Sequence, residues 1–264
     1  GIVNQELIIV RYGEIALKGK ETRRQFENIL VKNIKNALKQ NDIPNKIEKE
    51  WGRIYVHTKK ITKTLLVLKK IFGITSISPA IKTFSEINYI SKLSVEISKK
   101  KLTKRKSFAI RATRTGKHEF TSQDVAVQVG NDIVNATKAK VNLTKPDFKL
   151  FIEIRNNKAF IFTKKIRCAS GMPYGTQGKV LALIDSKQSV LAAWYLIRRG
   201  CKAIFIVTKK SNLKVLNSFI KKWYIESVIY DLKSDKKLIK NLNKIANEKK
   251  AEAIVTDNSL FDKS

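Results

Sequence analysis

Arg111, Arg114, Lys117 and His118 crowd around Gly116 in the segment FAIRATRTGKHEF, residues 108–120. Guanidinium groups fork onto phosphate oxygens or stack on bases, and an imidazole or the Phe120 ring can support a base splayed out of a helix. That is chemistry for recognising RNA rather than for making bonds. A second run, Arg11-Tyr12-Gly13-Glu14-Ile15-Ala16-Leu17-Lys18-Gly19-Lys20 with Arg23 after it, leaves an apolar stretch and enters a helical one. Glycines let backbone approach a phosphate, and a helix start offers unpaired N–H groups. The spacing fits neither GxGxxG nor GxxxxGK[ST], so P-loop binding of a nucleoside triphosphate is not expected there, and a plain basic turn fits as well as an anion site.

Charge names the partner class. Of 264 residues, 54 are Lys or Arg and 22 are Asp or Glu, a formal net charge of +32. Such a chain repels itself unless a polyanion neutralises it, and nucleic acid is the leading candidate. The excess is no tail: 36 basic and 14 acidic residues lie in 1–168, and 18 and 8 in the remainder. Between Lys99 and Lys117 stand nine basic residues, Lys104 and Arg105 among them, and no acidic one. A solvated, lysine-rich surface is the competing account of the total, and the local clustering argues for a site.

Other chemistries are thinly supplied. Cys168, Cys201, His57 and His118 are far apart, and no CxxC or HxxxH pair exists. Neither structural zinc nor a disulfide framework is expected, and no metal ligand or catalytic side chain is assigned. No apolar run reaches the ~18 residues of a membrane span. Gly1 to Glu6 lack the order of a secretory signal, so the expected setting is the cytoplasm, with no membrane partner.

These side chains need elements to position them. Leu7–Val10 reads as a strand, Arg23–Lys39 as a helix, Arg53–Val56 as a strand and Thr62–Ile71 as a helix, a β-α-β-β-α-β order of ferredoxin-like type. Phe26, Leu30, Ile34 and Leu38 recur every four residues, so they form a buried stripe. A second unit from near Gly73 holds a helix over about 87–98 and a strand over 108–112. Its next helix is opened by Thr121-Ser122-Gln123-Asp124 at capping-box spacing, with Val125, Val129 and Ile133 as its buried face. Asn156-Asn157 marks a hairpin between strands at 149–154 and 159–162. After the Gly-rich connector Gly171-Met172-Pro173-Tyr174-Gly175-Thr176-Gln177-Gly178, apolar runs at 180–184, 203–207, 228–230 and 253–255 alternate with helical patterns, which predicts a parallel sheet with helical crossovers.

Four segments in order carry a resemblance: Arg11-Tyr12-Gly13-Glu14-Ile15 with Lys18-Gly19-Lys20; Phe108 to Asp132 with Thr121-Ser122-Gln123-Asp124 and Val129-Gly130; Leu143-Thr144-Lys145-Pro146-Asp147; and Gly171 to Val180. Together they resemble the tRNA 4-thiouridine synthetase family, ThiI-like tRNA sulfurtransferases, over almost the whole chain. The resemblance implies an N-terminal ferredoxin-like domain and a THUMP domain that grips the tRNA acceptor stem and 3′ end. It also implies a PP-loop ATPase domain that uses ATP and Mg to adenylate a uridine before sulfur transfer. The fold class expected is α/β with an α+β N-terminal part. Its domains fall at 1–72 (ferredoxin-like), 73–168 (THUMP) and 169–264 (a Rossmann-like, parallel-sheet, PP-loop-type domain).

The third domain departs from that pattern. Counting without gaps from the connector, the family's SGGxDS loop falls on Asp185-Ser186-Lys187-Gln188-Ser189-Val190, without its glycines or its aspartate. Near Val255-Thr256-Asp257-Asn258-Ser259-Leu260-Phe261-Asp262 the family's VTGxSLGQ is eroded too. Cys168 precedes the connector and Cys201 starts an apolar strand, where burial favours an inert thiol. The residues up to Ser264 are fewer than a complete ATPase domain of the family implies. The expectation is a tRNA binder without ATP-dependent activation or a cofactor of its own, using Arg11, Lys18, Lys20, Arg23, Lys104, Arg105, Arg111, Arg114, Lys117 and His118. Two alternatives stand beside it: an active sulfurtransferase with an altered nucleotide loop, and a basic RNA-binding assembly factor whose third domain docks a protein partner. A homodimer is left open.

Overall fold

In the computed structural model, which describes residues 5–13, 19–50, 52–256 and 260–262, the alternation of β-branched and amphipathic stretches becomes a long series of elements. In chain order these are β1 (Gln5–Tyr12), α1 (Lys20–Gln40), β2 (Lys46–Glu50), β3 (Arg53–His57), α2 (Ile61–Leu68), β4 (Ile74–Phe84), α3 (Ile87–Lys99), β5 (Ser107–Thr115), α4 (Ser122–Thr137), β6 (Lys140–Val141), β7 (Phe148–Arg155), β8 (Lys158–Phe162) and β9 (Ile166–Arg167). There follow β10 (Gln177–Ile184), α5 (Lys187–Arg198), β11 (Cys201–Val207), α6 (Lys210–Trp223), β12 (Val228–Asp231), α7 (Leu238–Lys249), β13 (Ala251–Val255) and β14 (Leu260–Asp262). The first six are the expected β-α-β-β-α-β series, with strand neighbours β2-β3-β1-β4.

Two compact units form, neither continuous in sequence. One takes the described residues of Gly1–Ile9, Tyr55–Ile61 and Ser78–Ile166; the other takes those of Val10–Ile54, Thr62–Ile77 and Arg167–Ser264.

In the first unit β5 runs parallel to β7, from Phe108 opposite Phe148 to Thr115 opposite Arg155, and β8 is antiparallel to both β7 and β4. Period-two alternation sorts the side chains. Leu150, Ile152, Ile154, Ala159 and Ile161 join Val125, Val129 and Ile133 in one core, while Phe160, Phe162 and Phe151 join Leu7, Ile9 and Tyr55 in another. The α4 stripe is fully buried, at 0% exposure for each of its three members, and burying such side chains stabilises by about 1.5–3 kcal/mol each. Helix α4 starts as its spacing predicts. Asp124 N donates to Thr121 Oγ1 at 3.0 Å, and Thr121 N donates to the Asp124 carboxylate at 2.9 Å. The β7–β8 turn places Asn156 at φ 54°.

The second unit carries the α1 stripe of Phe26, Leu30, Ile34 and Leu38, buried as the four-residue spacing requires. It also carries a sheet whose described strands run β12-β11-β10-β13-β14. The pairs β10–β11, β10–β13 and β11–β12 are parallel, as continuous apolar runs separated by helices predict. Strand β14, antiparallel to β13 from Val255 opposite Leu260, is an addition that the apolar pattern did not announce. Alternation along β10 and β11 sends Val180, Ala182, Ile184, Ala203, Phe205 and Val207 towards α5 and α6, and Leu181, Ile204 and Ile206 towards α7. The result is a three-layer α/β/α arrangement.

The connector is a structural clamp. Met172 N donates to the Arg198 carbonyl at 3.0 Å, and Gly175 N and Gln177 N reach the Gly200 carbonyl at 3.0 and 2.9 Å, which satisfies acceptors left over at the end of α5. Gly171 lies at φ +77°, and a Cβ there would strike the Arg198 carbonyl. Tyr174, 7% exposed, donates to the Glu226 carbonyl and accepts from Ala203 N.

Candidate nucleic-acid interface and the nucleotide loop

At the end of β5 the predicted recognition residues arrange one another. Arg114 Nη1 lies 2.7 Å from the Gly116 carbonyl and 3.0 Å from His118 Nδ1, and His118 Nε2 lies 2.6 Å from the Asn156 carbonyl. A carbonyl only accepts, so His118 carries its proton on Nε2, and its Nδ1 accepts from Arg114. Phe120 closes the cluster, its ring 5.1 Å from the imidazole. Gly116 is at φ +104°, and a Cβ would sit 2.6 Å from Asn156 Oδ1, so the turn after β5 folds onto the β7–β8 turn only with glycine there. Lys117 is exposed beside them.

Arg111 is placed differently. Three positions from Arg114 on a regular strand, it leaves the opposite face, and its Nη2 holds the Leu143 carbonyl at 2.7 Å. Lys104 and Arg105 are exposed just before β5, at the far end of a strand about 30 Å long from the Gly116 turn. The structure thus brings Arg114, Lys117 and His118 together and sets Lys104, Arg105 and Arg111 apart from them.

The remaining predicted residues belong to the second unit. Lys20 is exposed at the first position of α1, whose N-cap Gly19 gives no side-chain cap. Arg11 is half-buried and donates to Ser76 Oγ at 3.3 Å. Arg23 does not face solvent as expected of an RNA contact. It is 7% exposed, with Nε 3.6 Å from Glu27 Oε1, and the same oxygen accepts from Tyr12 Oη at 2.7 Å. The reason is spatial: Tyr12 and Glu27 make a buried polar site that needs a cation. Burial first, and then the Glu27 carboxylate, push the Tyr12 hydroxyl well above its ordinary range. Lys18 lies outside the described residues, as do Asp257, Asn258 and Ser259 of the late nucleotide segment.

The pyrophosphate-loop region is shorter than its six-residue count suggested. Strand β10 ends at Ile184 and α5 begins at Lys187, so only Asp185 and Ser186 connect them. Ser189 and Val190 lie in the first turn of α5, both buried. Ser186 is the N-cap, accepting from Ser189 N at 3.3 Å, while Asp185 N and Ser186 N both donate to Ser189 Oγ, at 3.1 and 2.9 Å. This second capping box has a serine where an acid is usual. Three backbone amides of this junction, those of Asp185, Ser186 and Ser189, are thus bonded within the protein, and the exposed Asp185 carboxylate lies beside them.

The thiols are poor nucleophiles here. Burial pushes Cys168 up to about 12, against the opposing pull of Lys69. Cys201 is raised by burial and then by Glu252. Among the described residues no three His, Cys, Asp or Glu side chains form a metal-holding group, and no helix is long and apolar enough to cross a membrane.

Residues 7–78 match the ThiI ferredoxin-like domain and residues 84–164 the THUMP domain. A probable tRNA sulfurtransferase of Methanocaldococcus jannaschii is 38% identical over 265 residues, covering 93% of this chain and 69% of that protein. One from Methanobrevibacter smithii is 39% identical over 208 residues, 76% of this chain and 53% of that protein, and the chain spans about half the length of several such relatives. Among solved structures, a protein from Pyrococcus horikoshii Ot3 superposes with a TM-score of 0.84 at 30% identity, covering 97% of this chain and 85% of that one. A 4-thiouridine synthetase in complex with RNA and bound ATP gives a TM-score of 0.77 at 26% identity, covering 96% of this chain and 73% of that one. With its strand-and-helix order, its THUMP region and relatives of this closeness, the chain belongs to the tRNA sulfurtransferase family.

Proposed function

We propose that this chain binds tRNA at the acceptor stem and 3′ end through its ferredoxin-like and THUMP regions, without activating a uridine by its own use of ATP. The observation that carries the proposal is the contrast in donors. The Arg114–His118 turn keeps guanidinium and ammonium donors at the surface, whereas the Asp185–Ser186 amides are closed on Ser189. A guanidinium has five N–H donors, so the two used in positioning Arg114 leave others for phosphate. The RNA-bound relative supports the choice of partner, and the acid-free stretch from Lys99 to Lys117 supplies the field.

Titrating an acceptor-stem hairpin at several salt concentrations tests the first half. Neutralising about 5 to 8 phosphates gives a log K against log salt slope of roughly −0.7 to −0.9 per phosphate, and a flat response would sink RNA binding. Thermal unfolding in millimolar Mg-ATP tests the second. A ligand at 100 times its Kd stabilises by about 2.7 kcal/mol, and we expect no such shift.

One observation favours the alternative of an active sulfurtransferase with a remodelled loop. Lys187 is exposed at the first position of α5, where its ammonium could meet a phosphate from another direction. A saturable ATP-dependent rise in Tm abolished by Lys187→Ala, or 4-thiouridine formed in tRNA by the purified chain, would establish that reading instead.

A further inference from the structure

We infer that the α5–α6 side of the parallel-sheet domain is a second RNA-contacting surface, one that follows the phosphate backbone of a duplex through a lysine ridge on α6. The inference rests on the RNA-binding reading above and extends it to a region outside the ferredoxin-like and THUMP parts.

From Lys187 to Ile225 the chain has nine basic residues and no acidic one, as many as in the Lys99–Lys117 run. Helices α5 and α6, which carry most of them, pack on the same core and so share one side of the sheet. Helix α7, on the other side, mixes its lysines with Glu248. On α6, Lys210, Lys214, Asn217 and Lys221 are all exposed. At 3.6 residues per turn they fall within about 60° of arc and form a ridge about 16 Å long. All four, with Leu213 and Ser218 between, line a shallow concavity of about 440 Å³.

Helix stability accounts for Lys221, in the last turn of α6, but not for the charges at its start. Lys209 is the N-cap and makes no side-chain cap, Lys210 follows it, and no acid stands in the first turn. Cations there oppose the helix dipole, and Lys210 with Lys214 is a like-charge pair at i, i+4, which weakens a helix. An anion laid along the ridge reverses both penalties, since the uncapped N–H groups and the ammonium groups then act together. The apolar residues of α6, Leu216, Phe219, Ile220 and Trp223, turn inward to the core. Leu213 breaks the lysine ridge, half-buried against the core, and the exposed Leu191 and Tyr195 belong to α5, so the ridge itself suits a phosphate backbone rather than a lipid.

The test compares Lys210→Ala/Lys214→Ala/Lys221→Ala with Lys244→Ala/Lys249→Ala/Lys250→Ala on α7 and its C-cap, using fluorescence anisotropy of a labelled tRNA transcript across a salt series. Melting temperatures verify that both variants are folded. The α6 variant is expected to bind about tenfold more weakly at physiological salt and to lose about 2 to 3 from the salt slope, with the α7 variant close to the unaltered protein. Lysine-to-arginine replacement at the same α6 positions should restore the slope. Unchanged binding by the α6 variant, or an equal loss in the α7 variant, would overturn this surface while leaving RNA binding by the other regions standing. Failure of the unaltered chain to bind RNA would overturn both readings. Binding to phosphatidylserine vesicles that is lost in the α6 variant, while its RNA affinity is retained, would reassign the face to membranes and overturn the inference.

Discussion

At the end of β5, Arg114 and His118 are held by each other and by the Gly116 and Asn156 carbonyls, with Lys117 exposed beside them; at the start of α5, the amides of Asp185 and Ser186 turn onto a single serine hydroxyl. Both places have residue types that suggest phosphate, and they differ in what positioning costs them. A guanidinium that gives up two N–H bonds to orient itself still has three. A backbone amide has one, and once it is used nothing remains for a ligand. Side-chain anion sites therefore tolerate internal ordering, whereas backbone cradles do not. The α4 start makes the same point from the other side: its Thr121–Asp124 box also spends its amides, and it adds a carboxylate.

The comparison is broken most directly at the surface that keeps its donors. Arg111→Ala/Arg114→Ala should weaken acceptor-stem binding by about 100-fold, taking about 1.5 kcal/mol per charged hydrogen-bonding group, as read by anisotropy. Equal loss from the three α7 lysines would mean diffuse charge. The two guanidinium groups leave opposite faces of β5, so the single variants sharpen the result, with Arg114→Ala the larger. Next comes the closed loop. Ser189→Ala removes the acceptor of two amides in a buried setting and should cost about 2 kcal/mol in urea unfolding. A variant as stable as the original protein would mean that those amides have another outlet. Thr121→Ala, at an exposed cap, should cost only about 1 kcal/mol and leave RNA affinity within twofold.

A further effect is confined to high pH. Cys168 titrates near 12 when folded against 9.0 as a free thiol, so between those values the folded chain holds a proton that the unfolded chain has released. The stability contributed by the neutral thiol is whole below pH 9 and is lost as the pH rises towards 12. Cys168→Ala should flatten that fall in urea unfolding compared at pH 7 and pH 10.5. An unchanged pH profile would show the thiol to be accessible.

Local devices were the legible part of this fold. The α4 cap and its buried face follow from four residues and a spacing of four, and the Asn156 hairpin from a turn dipeptide, because both ends of each interaction lie within a few positions. The burial of Arg23 is not legible, because the Glu27 carboxylate it pairs with also takes the Tyr12 hydroxyl, 15 positions away. No sequence signature announces the Ser186–Ser189 box, because serine at the third helical position is not the usual acid, although its hydroxyl performs the same task. The Gly171–Gly178 connector is a landmark in the sequence, but its work, closing the end of α5, depends on carbonyls at Arg198 and Gly200 that no motif names.

The strand order β12-β11-β10-β13 has a kinetic consequence. β10 can meet β11 once a short crossover forms, but its other neighbour, β13, arrives only after a stretch about four times as long, from Ile184 to Ala251. In an unfolded chain that difference adds about 1.2 kcal/mol of closure entropy. The β10–β13 seam should therefore zip last and part first, so that in native-state hydrogen exchange Ala253 loses its amide proton ahead of Phe205 and Ile206. Partial unfolding of this domain would then begin on the side of the sheet where Gly178 lies against Glu252, leaving the β10–β11–β12 ladder intact as a folding unit of its own.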